Sequence, residues 1–247
     1  MPVPPTLSVI VPAFNEAVRL PPSLRRIRDF CDASDRGYEV LVIDDGSRDG
    51  TLPAVADIKA AWPQMRVISL PANQGKGAAV KAGMLAASGR LRLFTDADLS
   101  TPIEELAKLE AALECGAGIA IGSRSVRESR VELHQPPHRE LMGRAYNQLL
   151  QRLVLPGLRD TQCGFKLFTG EAAEICFREL ECVRFGFDAE VLLRAQLSGI
   201  RVAEVGVLWR NMAGTRVNSF ADGGRMLIDL WQLRVQLRTM PQELARR

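Results

Sequence analysis

In the first half of the chain, short apolar runs alternate with stretches of helical periodicity. Leu7-Ser8-Val9-Ile10-Val11 is a β-branched run stopped by Pro12 and predicts a buried strand. Pro21 and Pro22 open a helix with Leu24, Ile27 and Phe30 on one face. Tyr38–Ile43 reads as the next strand and is closed by Asp44-Asp45-Gly46-Ser47. A helix near Thr51–Ala61, a strand at Arg66–Leu70, a small-residue helix at Gly77–Ala87 and a strand at Leu91–Thr95 continue the alternation. Beyond these come a helix (Ile103–Cys115) and a strand (Gly118–Gly122). The stretch Ser123–His138, rich in Arg, Ser and Pro, predicts a loop. Arg139–Leu153 predicts a helix, Val202–Trp209 a late strand, and Arg225–Arg238 an amphipathic helix.

Strands alternating with helices imply an α/β fold: a Rossmann-like, mostly parallel sheet with helices on both faces. Ligands in such sheets collect beyond the carboxyl ends of the strands. Asn15-Glu16, Asp44-Asp45 and Asp96/Asp98 each follow a predicted strand, so one rim is expected to gather them.

Composition narrows the possibilities. With 247 residues and 47% hydrophobic content, the chain can bury a large core as one domain. No internal repeat or linker divides it. Lys+Arg 32 against Asp+Glu 29 leaves a net charge of +3, too small a bias for a nucleic-acid-binding domain. The 5 cysteines lack CxxC spacing, which favours reduced thiols in a reducing compartment over a zinc site or disulfide framework. Met1–Thr6 has neither a basic nor an apolar signal-peptide region, and no run of about 18 apolar residues occurs, so neither a signal peptide nor a membrane span is expected.

Three clusters carry candidate chemistry. Asp96-Ala97-Asp98 puts two carboxylates on a turn, where they can share one hard cation such as Mg²⁺ or Mn²⁺. Taken alone it reads better as a turn before a helix capped by Ser100 or Thr101 ahead of Pro102. Asp44-Asp45-Gly46-Ser47 can receive hydrogen bonds from a base and a ribose, or simply form a glycine turn. Asn73-Gln74-Gly75-Lys76-Gly77 lets the backbone approach a phosphate and lets Lys76 offset its charge, or is an ordinary glycine-rich helix entry. In order on one rim, the three favour a site for a nucleotide joined to a diphosphate.

At this point the chain resembles the family 2 glycosyltransferases of GT-A fold. The likeness is carried by Val9–Glu16, Ile43–Ser47, Asn73–Gly77 and Thr95–Ser100, and it extends through Gly122-Ser123-Arg124. Arg159–Phe168, Phe185–Glu190, Val207-Leu208-Trp209 and Gly214–Asn218 resemble the dolichyl-phosphate β-glucosyltransferases. The resemblance implies an enzyme that inverts the anomeric centre while moving glucose from UDP-glucose to a polyprenyl phosphate. Residues 1–122 would form the nucleotide-sugar half, and 123–247 the acceptor half with the C-terminal amphipathic helix.

Position by position, Pro12, Phe14, Glu16, Asp44, Asp45, Lys76, Asp96 and Ala97 would hold the donor. Asp96, Asp98 and Ser100 would surround the metal. Arg124, Arg139 and Arg216 would meet phosphate groups, although Ser-Lys usually stands where this chain has Thr215-Arg216. Asp188 or Glu190 would stand near the acceptor, as a base or as helix N-terminal charge. His134 and His138 receive no role.

A lipid acceptor places the protein on the cytoplasmic face of a membrane, held at the surface by Arg225–Arg238 or Arg139–Leu153. Helices of that pattern more often pack on a protein core. GDP-mannose as donor, a soluble acceptor and a non-enzymatic nucleotide-sugar module are the competing readings.

Overall fold

The fold is described from a computed structural model. It covers residues 5–133, 137–184 and 186–212, without the side chains of 137–142, 144 and 146. The expected C-terminal helix Arg225–Arg238, together with Arg216, lies outside the described residues.

Nine strands and seven helices are described. The first half runs β1 (Leu7–Ala13), α1 (Leu20–Asp32), β2 (Tyr38–Asp44), α2 (Thr51–Ala60), β3 (Met65–Ser69), α3 (Lys76–Ala86), β4 (Leu91–Thr95). A 3-10 turn (Ile103–Glu105) leads into α4 (Leu106–Glu114) and β5 (Ile119–Ser123). The second half runs β6 (Arg130–Leu133), α5 (Pro137–Leu153), β7 (Phe165–Thr169), α6 (Gly170–Arg178), α7 (Phe187–Leu197), β8 (Val202–Gly206) and β9 (Leu208–Arg210).

Seven strands form one sheet in the order β3-β2-β1-β4-β7-β5-β8, and β6 pairs with β9 in a separate ribbon. β1, β2, β3 and β4 are mutually parallel, as β5 is with β8. β7 is antiparallel to both of its neighbours, β4 and β5. The mostly parallel sheet expected from the alternation is therefore present, with one reversed strand inside it.

Strand alternation separates two apolar layers. Val9, Val11, Val40, Val42, Leu93, Phe165 and Leu167 face a layer shared with α1, α2 and α4 through Leu24, Ile27, Val55, Leu106 and Leu109. Ile10, Leu41, Ile43, Phe94, Ile119, Ile121 and Phe168 face the layer of α3, α6 and α7, through Val80, Met84, Phe177 and Leu192. Because both faces of the central strands are covered, those strands read as continuous apolar runs.

Four expectations are revised. The loop over Ser123–His138 contains β6, whose side chains are mostly exposed. The single late strand Val202–Trp209 is broken at Val207 into β8 in the main sheet and β9 in the ribbon. β7 and α6 fall in a region for which no element was expected. The proposed caps also fail, since Pro102 occupies the N-cap position of the 3-10 turn and no side chain caps it. Instead Thr101 Oγ1 lies 3.7 Å from Cys163 Sγ.

The order β2-β1-β4 puts the chain's change of direction between β1 and β4. A sheet of this kind opens a crevice at such a point, beyond the strand ends.

Candidate active site

The carboxyl ends of β1 and β2 are tied together by side-chain to backbone bonds. Asn15, in a left-handed conformation (φ 56), donates its N–H to Ser47 Oγ at 2.8 Å. Its Oδ1 accepts the Arg48 N–H at 2.8 Å and the Asp49 N–H at 3.3 Å. The Glu16 N–H donates to Thr51 Oγ1 at 2.7 Å. Phe14 and Glu16 therefore stand on a loop braced against the one that follows β2.

The adjacent aspartates differ in what they do. Asp44 is buried and receives the Ser47 N–H at 3.3 Å on each oxygen. Asp45 accepts the Gln74 N–H at 2.7 Å and the Gly75 N–H at 2.9 Å, one on each oxygen. The Asp45 carboxylate, expected beside the nucleotide, thus anchors the glycine-rich loop. Gly75 has φ +108 and lies so close to the Val183 carbonyl that a Cβ would sit 2.5 Å from it. Glycine is required there on both counts.

Asp96 and Asp98 follow β4 in a tight turn. The Leu99 N–H donates to the Asp96 carbonyl at 3.1 Å, and Leu99 itself takes φ 47. The Ser100 N–H donates to Asp98 Oδ1 at 3.0 Å. Asp98 Oδ2 lies 3.4 Å from Arg19 Nη1, and the Nε of Arg19 donates to Glu16 at 2.7 Å. Arg19 thereby connects the β1 loop to the Asp96–Asp98 turn. Its guanidinium pKa is raised above the ordinary arginine value, chiefly by the hydrogen bond to Glu16.

Lys76, the first residue of α3, places Nζ 2.6 Å from Asp96 Oδ1 and 5.2 Å from the centroid of the Phe94 ring. Lys166 reaches the same ring from β7, 5.6 Å away. This buried lysine bonds to Asp188 Oδ1 at 2.5 Å and to the Cys163 carbonyl at 2.6 Å. Burial opposes the charge on Lys76, but Asp96 and Asp188 outweigh it and raise the pKa. Burial pushes the Asp188 carboxyl up, against the opposing pull of Lys166 and Lys76. Both ammonium groups thus lie near the Phe94 ring, and each is paired with an aspartate, Lys76 with Asp96 and Lys166 with Asp188.

Glu190 accepts the backbone N–H groups of Glu181 and Cys182 (3.1 and 2.7 Å) and Arg194 Nε at 2.7 Å. It fixes the segment that passes over Gly75, which leaves Asp188 as the acidic residue of this pair facing the lysines.

On the other side, Arg124 grips the fully buried Asp160 through its backbone N–H (2.9 Å), Nε (2.7 Å) and Nη2 (2.8 Å). The guanidinium lies 5.3 Å from the centroid of Trp209. Glu204 accepts the N–H groups of Arg159 and Asp160 at 2.9 and 2.8 Å and holds that segment. Arg139 lies on α5, but its side chain is outside the described set, as is Arg216.

The residues fit an oxygen-liganded divalent cation. Asp96 and Asp98 supply hard carboxylate donors on one turn, while no group of three His, Cys, Asp or Glu forms a cage among the described residues. Mg²⁺ and Mn²⁺ suit sites of this type, completed by water and phosphate oxygens. Arg19, Asp160 and Lys166 were not assigned roles from the sequence. Lys166 interrupts the apolar pattern of β7, and its partner Asp188 lies 22 residues away, so no local signal marked the pair.

The chain is similar to known proteins along most of its length. The model of glycosyl transferase family 2 matches residues 8–176. The dolichyl-phosphate β-glucosyltransferase of Drosophila melanogaster is 38% identical over 241 residues, covering 91% of this chain and 74% of that protein. Its namesake from Dictyostelium discoideum is 36% identical over 240 residues, covering 92% and 73%. Among solved structures, the glucosyl-3-phosphoglycerate synthase of Mycobacterium tuberculosis, in complex with Mn²⁺, UDP-glucose and phosphoglyceric acid, superposes with a TM-score of 0.70. It is 20% identical, over 93% of this chain and 80% of that one, and shares the fold. With the family model spanning more than half of the chain and curated relatives above a third identical along most of it, this protein belongs to the family 2 glycosyltransferases.

Proposed function

We propose that this enzyme transfers glucose from UDP-glucose to a polyprenyl phosphate, with inversion at the anomeric carbon. The observation that carries the reading is the rim itself: Asp44, Lys76, Asp96 and Asp98 stand together at the carboxyl ends of β2 and β4 and the start of α3. The names of the curated relatives support the acceptor and the sugar.

Asp44, Pro12, Phe14 and Glu16 hold the nucleoside in this reading. Asp96 and Asp98, with Ser100 beside them, hold a divalent cation, which when bound offsets charge on the departing diphosphate. Lys76 and Arg19 bring positive charge to the same edge. Arg124 is oriented by Asp160 and Trp209, and in this reading its guanidinium meets a phosphate of donor or acceptor. Arg139 and Arg216 add cations on the acceptor side.

The nucleophile requires little proton removal. A phosphate monoester has a second pKa of about 6 and is largely dianionic at pH 7. Positioning then contributes more than general base catalysis. Asp188, bound to Lys166, serves to orient that lysine and the acceptor-side charges.

The lipid acceptor places the protein at a membrane surface, on its cytoplasmic face, with residues 123–247 serving the acceptor and 1–122 the donor. No helix among the described residues is long and apolar enough to cross a bilayer. Arg225–Arg238 is the segment proposed to rest on the lipid.

The test is incubation with UDP-[¹⁴C]glucose, Mn²⁺ and a short polyprenyl phosphate, scored for label in the organic phase. Label there supports the reading. Label confined to the aqueous phase on a soluble acceptor would replace it.

A further inference from the structure

Gly164 is required for a reason other than backbone conformation. It is not among the positive-φ glycines, so an alanine is compatible with its backbone. A Cβ at this position would nevertheless lie 2.0 Å from Asp96 Oδ2, 2.3 Å from its Cγ and 2.7 Å from Oδ1. These distances are far inside van der Waals contact, and they involve a single partner side chain.

Neither backbone can retreat. The Asp96 N–H donates to the Gly164 carbonyl at 3.1 Å, extending the β4–β7 ladder in which Thr95 pairs with Phe165. Cys163 and Phe165 on either side of Gly164 are 1% and 0% exposed. A side chain at 164 must therefore displace the Asp96 carboxylate. That carboxylate is also engaged by Lys76 Nζ, 2.6 Å from Oδ1, so its rotation breaks an ion pair.

We infer that Gly164 is a positioning residue for Asp96: the missing side chain is the space in which the carboxylate lies. The reversed strand β7 then does more than fill the sheet. The residue leading into it sets the direction of the carboxylate that follows β4, and with it the geometry offered to a divalent cation and diphosphate. This rests on the proposed role of Asp96 as a metal ligand. Groups that orient a metal ligand typically change metal affinity about 10- to 100-fold when altered.

Four proteins test it: wild type, Gly164→Ala, Asp96→Ala and the double variant. Two readouts are taken on each, the thermal midpoint and Mn²⁺ affinity in the presence of UDP, followed by the electron paramagnetic resonance of free Mn²⁺. Gly164→Ala is expected to lower Mn²⁺ affinity by about tenfold or more and to lower Tm by roughly 2–10 °C. In the Asp96→Ala background the clashing carboxylate is gone, and adding Gly164→Ala is expected to shift Tm by under about 2 °C. If Gly164→Ala alone gives no folded protein, folding of the double variant is the supporting result. Mn²⁺ affinity within twofold of wild type in Gly164→Ala overturns the inference. So does a Tm loss that persists undiminished in the Asp96→Ala background. Wild-type Mn²⁺ affinity in Asp96→Ala would instead remove the metal reading, and the melting cycle would still decide whether Gly164 sets the carboxylate.

Discussion

Replacing Asp160 by Asn tests the buried scaffold that holds Arg124. Asp160 is fully buried and accepts three hydrogen bonds from Arg124, two of them a fork onto the guanidinium. Asparagine keeps the volume and one acceptor oxygen but removes the charge, leaving a guanidinium that is a quarter exposed (26%) without its counterion. Removing one partner of a buried pair costs about 3–5 kcal/mol. Partial exposure of Arg124 and the remaining acceptor point to the lower end, about 3 kcal/mol. For a domain of this size that corresponds to roughly 6–12 °C in Tm.

The pH dependence carries the sharper test. Burial pushes the Asp160 carboxyl up, but the Arg124 guanidinium outweighs it and holds the pKa below the ordinary carboxylate value. A group with a depressed folded pKa contributes its stability in full above the unfolded value of about 3.9, and loses it as pH falls through the folded value. Urea midpoints of wild type and Asp160→Asn should therefore differ equally at pH 7 and pH 5.5, and the gap should narrow at pH 3. A gap of under about 1 kcal/mol at pH 7, or one that stays constant down to pH 3, would refute the reasoning.

Three further outcomes are expected. Asp45→Ala frees the Gln74 and Gly75 N–H groups; it should cost about 2 kcal/mol and raise KM for the donor more than it lowers kcat, measured by melting and steady-state kinetics. Chelation by EDTA, or Asp98→Asn, should reduce transfer about 100-fold or more, with Mn²⁺ restoring only the chelated wild type. Burial raises the Cys163 thiol to about 11 and those of Cys31 and Cys176 to about 12. Iodoacetamide at pH 8 should therefore label the exposed Cys115 well before any of these three, as read by peptide mass spectrometry.

The first half of the fold was legible in the sequence because its strands are covered on both faces. Val9–Val11 and Val40–Ile43 read as unbroken apolar runs for that reason. β6 was hidden by its shortness and exposure: Arg130-Val131-Glu132-Leu133 offers only two apolar positions, and its side chains stay mostly outside the core. β7 was hidden by Lys166, a buried charge whose partner Asp188 is 22 residues away. The candidate site divides in the same way. Asp44, Lys76, Asp96 and Asp98 sit at strand ends in turn motifs that can be read locally. Asp160 holding Arg124, Arg19 reaching Asp98, and Gly164 making room for Asp96 are contacts across 36, 79 and 68 positions, and no local spacing reveals them. The resemblance puts Asp45 beside Asp44 at the nucleotide, and the contact it makes in the fold, with the Gln74 and Gly75 N–H groups 29 and 30 positions on, could not be read from the turn motif.

The central claim is tested most directly by competition between donors. Equal concentrations of UDP-[¹⁴C]glucose and GDP-[³H]mannose are supplied with a polyprenyl phosphate, with and without Mn²⁺, and both labels are counted in the organic extract at early times. The account predicts ¹⁴C in the lipid product, little ³H, and loss of the ¹⁴C signal without the metal. Tritium dominating the extract, or glucose transfer undiminished in the absence of divalent metal, would contradict it.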